Sequence, residues 1–179
     1  MDGNTDICIY QKKNLDDATI KQIAQLKQQW WHYPLLEQIK YLKSLPSEDQ
    51  HIVGIYNKNI VAYLRLTRRV ARIKEITYQV AGLSTVCTDQ SAQKKGFGQK
   101  IVAKASCLID QRLYDFGLLQ CDDSLVAFFE KCGWKKPQYR FVCINEHGQR
   151  IPLFHEKNSM IYPQKSFDAK EIEIIGGSF

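Results

Sequence analysis

Gln93-Lys94-Lys95-Gly96-Phe97-Gly98 follows a strand-like run ending at Thr88 and opens a segment of helical spacing. Phe97, Ile101, Ala105, Leu108 and Arg112 recur at that spacing and predict a helix over 97–113 with one apolar face. Two glycines allow a tight turn and a close approach of backbone to ligand. A helix opening there aims its unpaired amides and the positive end of its dipole into the turn. That arrangement binds phosphate, and Lys94 and Lys95 add charge beside it. The spacing is neither G-x-x-x-x-G-K-[S/T] nor G-x-G-x-x-G.

Working outward, the segment before the turn, Ile76 to Thr88, reads as one long strand. After the predicted helix comes a short apolar strand, Phe116 to Cys121. Next comes Ala127-Phe128-Phe129-Glu130-Lys131-Cys132-Gly133-Trp134, a helix end followed by Gly and an aromatic residue. Q-x-x-G-x-G at 93–98 resembles the pyrophosphate-binding loop of the GNAT acetyltransferase superfamily. Phe128 to Trp134 is similar to that superfamily's F-Y-E-K-x-G-F/W signature. The resemblance covers residues 50 to 145, with core motifs at 75–136. It implies an α+β fold of the GNAT type, a strongly twisted, mostly antiparallel mixed sheet flanked by helices. In that fold the fourth and fifth strands splay apart around the pantetheine arm of coenzyme A.

The rest of the chain fits one such domain over 1–179. Its 179 residues suffice for one core. Apolar content is 44% and charged content 25%, ordinary for a globular protein. No apolar run is long enough to span a membrane, and Met1 to Tyr10 is not a signal peptide, so the expected location is cytoplasmic. Six cysteines lack any C-x-x-C pair or histidine at ligand spacing, which argues against a metal. Net charge is +6. The one dense basic cluster, Arg68, Arg69, Arg72 and Lys74, reads as a solvated strand end or hairpin rather than a nucleic-acid patch.

Further elements are legible. Ile7 to Tyr10 is a first strand. Asp16 or Asp17 caps a helix carrying Ile20, Ile23, Ala24 and Leu26. Pro34 stops one helix and opens another carrying Leu35, Leu36, Ile39 and Leu42. Ile52 to Tyr56 and Ile60 to Leu66 form a hairpin around Asn57-Lys58-Asn59. Tyr139 to Asn145 and Ile151 to Phe154 form another around Glu146-His147-Gly148. Met160 to Tyr162 and Glu171 to Ile175 are late strands.

The resemblance implies roles residue by residue. The backbone of Val86, Cys87 and Thr88 pairs with the pantetheine arm like an added strand. The loop Gln93, Lys94, Lys95, Gly96, Phe97, Gly98 and Gln99 holds the pyrophosphate. Asp122 stands where the family often has an Asn that binds pantetheine. Phe128, Phe129 and Lys131 lie near the cofactor's sulfur and adenine ends. Trp30, Trp31, His32, Tyr33 and Glu37 line the acceptor mouth, with at least one of the two tryptophans in the core.

The implied reaction is acetyl transfer from acetyl-CoA to a primary amine of a small molecule, by direct attack. The family's usual acid, a Tyr, is replaced here by Phe129, which has no proton to give. Three alternatives stand: a different hydroxyl, with Ser124 and Tyr139 as candidates; unassisted departure of the thiolate; or weak or absent catalysis. For the base, Glu75 is the only carboxylate on the long strand and His32 lies on the acceptor side. Glu171 to Phe179 is similar to the ends of aminoglycoside 2′-N-acetyltransferases, which would bring the terminal carboxylate of Phe179 near the amine. That subfamily's strand carboxylate falls near Gly82 here, against the same substrate. Other readings are a protein or aminoacyl-tRNA acceptor and a non-catalytic acyl-CoA-binding regulatory module. Many members of the superfamily are homodimers.

Overall fold

The computed structural model describes residues 5–145, 147–152, 158–163 and 165–176. They form a mixed α/β structure with a mostly antiparallel open sheet and flanking helices, as the resemblance implies. Contact density divides the chain into two compact units: Met1–Leu66 with Thr85–Ala105, and Thr67–Ser84 with Ser106–Phe179.

The first unit is built on β1 (Thr5–Gln11), β2 (Gln50–Tyr56) and the start of β3 (Asn59–Ile73). β2 lies in the middle, antiparallel to both neighbours. Asn57 and Lys58 both take positive φ, which matches the twist of a two-residue hairpin turn. Asp16 caps α1 (Asp17–Gln28) by accepting from the Thr19 amide at 2.7 Å. Pro34 takes the N-cap of α2 (Leu35–Ser44). The core joins Ile20, Ile23, Ala24 and Leu26 of α1 to Leu42, Val53, Tyr63 and Cys87. The unit also holds the end of β4 (Ile76–Thr88) and most of α3 (Phe97–Leu108).

Three expectations for this region need correction. α1 ends at Gln28 rather than running to Pro34, because the amides of Gln29 and Trp30 turn back three residues, to the Leu26 and Lys27 carbonyls, and tighten the last turn. Leu36, assigned to the buried face, is 71% exposed, whereas Leu35, Ile39 and Leu42 pack against the core. Neither Trp30 nor Trp31 enters the core.

The second unit carries strands in the order β7 (Arg150–Pro152), β6 (Arg140–Ile144), β9 (Glu171–Ile175), β3, β4, β5 (Phe116–Cys121), β8 (Asn158–Tyr162). Among the described residues β4 pairs in parallel with β5, and β6 with β9. The β4–β5 register spans four pairs, Val80↔Phe116 to Leu83↔Leu119. β3 continues to Ile73 where the sequence suggested a stop at Leu66, because Ala71 and Ile73 keep alternating inward between the arginines. Lys74, at φ +55, then turns the chain into β4. The basic cluster is a hairpin end, and Arg72 and Lys74 pair with Glu173 and Asp168.

α4 (Asp123–Lys131) explains the Gly-aromatic signature. Gly133, at φ +88, turns left-handed after the helix. Its amide bonds to the Glu130 carbonyl, and the Trp134 amide reaches back to that of Phe129. This is a Schellman stop, which needs a residue without a Cβ penalty. It delivers Trp134 into the core, fully buried, with its indole N–H on Ser106 Oγ at 3.3 Å. Aromatic packing of Tyr78, Phe116, Phe167, Tyr139 and Phe141 fills the rest. The hairpin residues Glu146 and Phe154 lie outside the described residues.

Candidate functional site

β4 ends at Thr88, and the chain then makes a short 3-10 turn, Gln90–Ala92. Asp89 caps that turn, accepting from the Ser91 amide at 2.9 Å and the Ser91 hydroxyl at 2.5 Å. These bonds, and one from Gln29, hold its carboxyl below the usual carboxylate range. Lys94 at φ +59 and Gly96 at φ +82 then reverse the backbone. Two left-handed residues within three positions make a tight loop, of which Gly96 alone adopts its conformation without strain. Gly96 accepts the first bond of α3, from the Lys100 amide at 3.0 Å. The amides of Phe97, Gly98 and Gln99 consequently have no intrahelical acceptor.

The surroundings of this loop suit a polyanion. Gln93, Lys94, Lys95 and Lys100 are exposed. A Cβ on Gly96 would meet only Gln99 Oε1, at 4.0 Å, so the space beside the backbone is open. Phe97 is buried and packs on Tyr56 at 5.5 Å, so only its backbone is available to a ligand. The residues fit a pyrophosphate by amide donors, helix dipole and lysine charge.

Trp30, Trp31, His32, Tyr33 and Glu37, expected on the acceptor side, are all exposed. The Trp30 indole N–H donates to the Thr88 carbonyl at 3.0 Å. Gln38 Nε2 holds the Trp31 carbonyl at 3.1 Å and Gln28 Nε2 the Tyr33 carbonyl at 3.3 Å. The structure thus brings the 30–33 loop to the end of β4, directly before the glycine loop. Val86 and Thr88 are half-buried at that strand end, and Thr85 before them has φ +57. Cys87 points into the core, where burial pushes its thiol up to about 12, so it stays protonated.

Sequence reasoning missed the groups that organise this region. Gln29 bonds Asp89 and Gln90, and nothing in a local window marks it. The Asp89-Gln90-Ser91 turn had a readable signal, an Asp two residues before a Ser. The first unit also buries Lys27, whose ammonium lies 4.4 Å from the Tyr41 ring centre. Burial lowers its pKa to about 8.

The second unit carries the remaining candidates. Asp122 precedes α4, and its carbonyl accepts from the Leu125 amide at 2.9 Å. Ser124 is exposed in the first turn of the helix, and Lys131 is exposed in the last. Phe128 is half-buried and meets Phe129 edge-on at 5.0 Å. Phe129 is only 3% exposed. Tyr139 is buried, and its hydroxyl donates to the Lys165 carbonyl at 3.1 Å. Burial pushes that hydroxyl up to about 12. Glu75 is exposed at the tip of the β3–β4 hairpin. It stands eight residues of strand from Leu83, roughly 26 Å at 3.3 Å per residue. Phe179 lies outside the described residues. Among the described residues no cluster of His, Cys, Asp and Glu could hold a metal, and no helix is long and apolar enough to cross a membrane.

Comparison with known proteins bears on this geometry. Residues 11–136 match the family model of the acetyltransferase (GNAT) domain. No curated protein matches in sequence. Among solved structures, a conserved Enterococcus faecalis protein, a probable N-acyltransferase, aligns with TM-score 0.64 and 12% identity over 75% of this chain. This chain spans only 33% of that one. ElaA from Escherichia coli aligns with TM-score 0.61 and 15% identity, covering 88% of this chain and 99% of its own. The ribosomal-protein-S18-alanine N-acetyltransferase from Escherichia coli aligns with TM-score 0.59 and 12% identity, covering 91% and 97%. At these identities the structural likenesses speak to the fold.

Proposed function

The chain belongs to the acetyltransferase (GNAT) family, a family of acyl-CoA-dependent acyltransferases, and on that premise we propose that it transfers an acetyl group from acetyl-CoA to a primary amine of a small molecule. The observation that carries this reading is the left-handed turn at Lys94 and Gly96 opening α3. The amides of Phe97, Gly98 and Gln99 would hold the pyrophosphate, with Lys94 and Lys95 beside it. The backbone at Val86 to Thr88 would hold the pantetheine arm. On this reading residues 1–179 act as one catalytic domain in the cytoplasm.

When bound, acetyl-CoA supplies an activated thioester. The acceptor must arrive as a free amine, because an ammonium has no lone pair. As the C–N bond forms, the C–S bond breaks and the amine proton passes to solvent or a base. A thiol has a pKa of about 8.5, so it can leave as thiolate without an acid. Phe129 has no proton, and the Tyr139 hydroxyl is spent on a backbone carbonyl. Unassisted departure is therefore the favoured route, with Ser124 the remaining hydroxyl. The exposed Trp31 and Tyr33 suit an acceptor with apolar faces or a cation. A protein amine is the alternative acceptor.

Calorimetric titration with acetyl-CoA and CoA tests the cofactor, with a micromolar dissociation constant expected. Absence of binding at millimolar ligand overturns the reading. Turnover over a panel of amines, followed by released thiol, then separates enzyme from sensor. Binding without thiol release would favour a non-catalytic acyl-CoA-binding module, the reading that Phe129 supports. Tyr139→Phe is expected to keep its turnover, against the loss of about 10² to 10⁴ that removing a general acid causes.

A further inference from the structure

Gln29 occupies the C-cap of α1, where the helix gives way to the aromatic loop. Its side chain and carbonyl make three hydrogen bonds to residues about sixty positions away. Nε2 donates to Asp89 Oδ2 at 2.8 Å, and Oε1 accepts from the Gln90 amide at 3.0 Å. The Gln29 carbonyl accepts from Gln90 Nε2 at 3.1 Å. Next to it, the Trp30 indole N–H adds the bond to the Thr88 carbonyl. Residues 29–30 are thus joined to residues 88–90 by four bonds. The other oxygen of Asp89 is engaged by Ser91, so the carboxylate is fixed from both sides. Three residues beyond Gln90 begins the glycine loop.

From this we infer that Gln29, with Asp89, Gln90 and Trp30, is a positioning joint: it couples occupation of the glycine loop to order in the aromatic loop Trp30–Tyr33. The inference rests on the acyl-CoA reading of the glycine loop. A ligand that orders residues 93–99 restricts Gln90 and Asp89, and through Gln29 and Trp30 it restricts the loop on which an acceptor would settle. Coupling requires two sites that bias a common element, and here that element is the four-bond joint. Gln29 is assigned to positioning, because its hydrogen bonds run to Asp89 and Gln90.

The bond polarity supplies the test. Gln29→Glu sets a second carboxylate against Asp89 and breaks the joint. Gln29→Glu with Asp89→Asn restores it with the amide moved across the bond. In the double variant the new amide at position 89 donates to the new carboxylate at position 29 and keeps its own oxygen for Ser91. The carboxylate at position 29 keeps its second oxygen for the Gln90 amide. Hydrogen exchange by mass spectrometry would follow peptides covering 30–36 and 93–100, with and without acetyl-CoA. In the wild type, ligand is expected to slow exchange in both peptides. Gln29→Ala and Gln29→Glu are expected to keep protection at 93–100 and to lose roughly tenfold of it at 30–36, and the double variant to regain it. Such a double-mutant recovery isolates the pair from general loosening. Unchanged protection at 30–36 in the single variants, or a double variant no better than Gln29→Glu, overturns the inference. No protection at 93–100 in the wild type instead removes the acyl-CoA reading, and the coupling with it.

Discussion

The cores of the two units differ in what they bury. In the first, Lys27, Gln38, Asp49, His51 and Arg65 sit beside Ile23, Leu42 and Val53, all buried. In the second, the buried polar residues among those described are Thr67 and Ser106, and the rest is aliphatic, aromatic or sulfur-bearing. Apolar burial needs no partner geometry, and each full-size side chain contributes about 1.5–3 kcal/mol. Buried charge costs several kcal/mol per ion unless paired or neutralised. Arg65 lies 3.6 Å from Asp49. His51 shares a hydrogen bond of 2.9 Å with the Tyr63 hydroxyl and is kept neutral by burial. The second unit thus reads as the stable frame. The first, which also holds the glycine loop and the aromatic loop, accepts less favourable chemistry in its core.

That contrast can be broken most directly in the second core. Trp134→Ala removes the largest fully buried side chain and is expected to cost about 3–5 kcal/mol in urea unfolding. A loss below about 1 kcal/mol would mean that Trp134 is not the anchor of this frame.

Next in size is a pH effect confined to the first core. Burial lowers His51 to about 4 from a normal value near 6.5. Between those values the unfolded chain binds the proton and the folded one does not, so stability is full above 6.5 and falls as pH drops toward 4. The loss is roughly 3 kcal/mol. Lys27, lowered to about 8, acts in the same direction at alkaline pH, with stability rising between about 8 and 10.5. Unfolding curves across pH should show both steps. His51→Phe should flatten the acid step and Lys27→Met the alkaline one. Steps that survive these changes would place the titration elsewhere and dissolve the contrast.

Two glycines sharpen it further. A Cβ on Gly117 would fall 2.5 Å from Ile109 Cδ1 and 2.7 Å from the Trp134 ring. Gly117→Ala is therefore expected to cost about 1–3 kcal/mol through overpacking, measured by thermal unfolding, with no direct effect on CoA affinity. Gly96→Ala meets open space but a left-handed φ. It should cost only about 1 kcal/mol of stability, yet weaken CoA binding in calorimetry. If Gly96→Ala binds CoA as the wild type does, the loop is merely a helix entry.

Much of the fold was legible because its signals are local. The hairpin at Asn57-Lys58, the cap at Asp16 and the long strand Ile76–Thr88 each follow from short-range preference. The Phe128 to Trp134 signature was legible as a motif, though its meaning was not. In the structure it is a helix stop and a core anchor, with Phe129 itself buried. Leu36 and the tryptophan expected in the core lie exposed instead, because hydrophobicity says nothing about which side of a short helix or loop finds a neighbour. Tyr139 was named for its hydroxyl, and only packing showed that hydroxyl bound to Lys165.

By itself the sequence determined the order of elements and the glycine turn, since these rest on residue type and spacing within some ten positions, and its two motifs carried the resemblance to the family. Only the tertiary structure decided which distant side chains meet. It turned Gln29 toward Asp89 and Gln90, set the Trp30 indole on the Thr88 carbonyl and closed Lys27 beneath Tyr41. A hydrogen bond needs its donor and acceptor within about 3 Å, and a separation of some sixty residues is bridged by the fold alone.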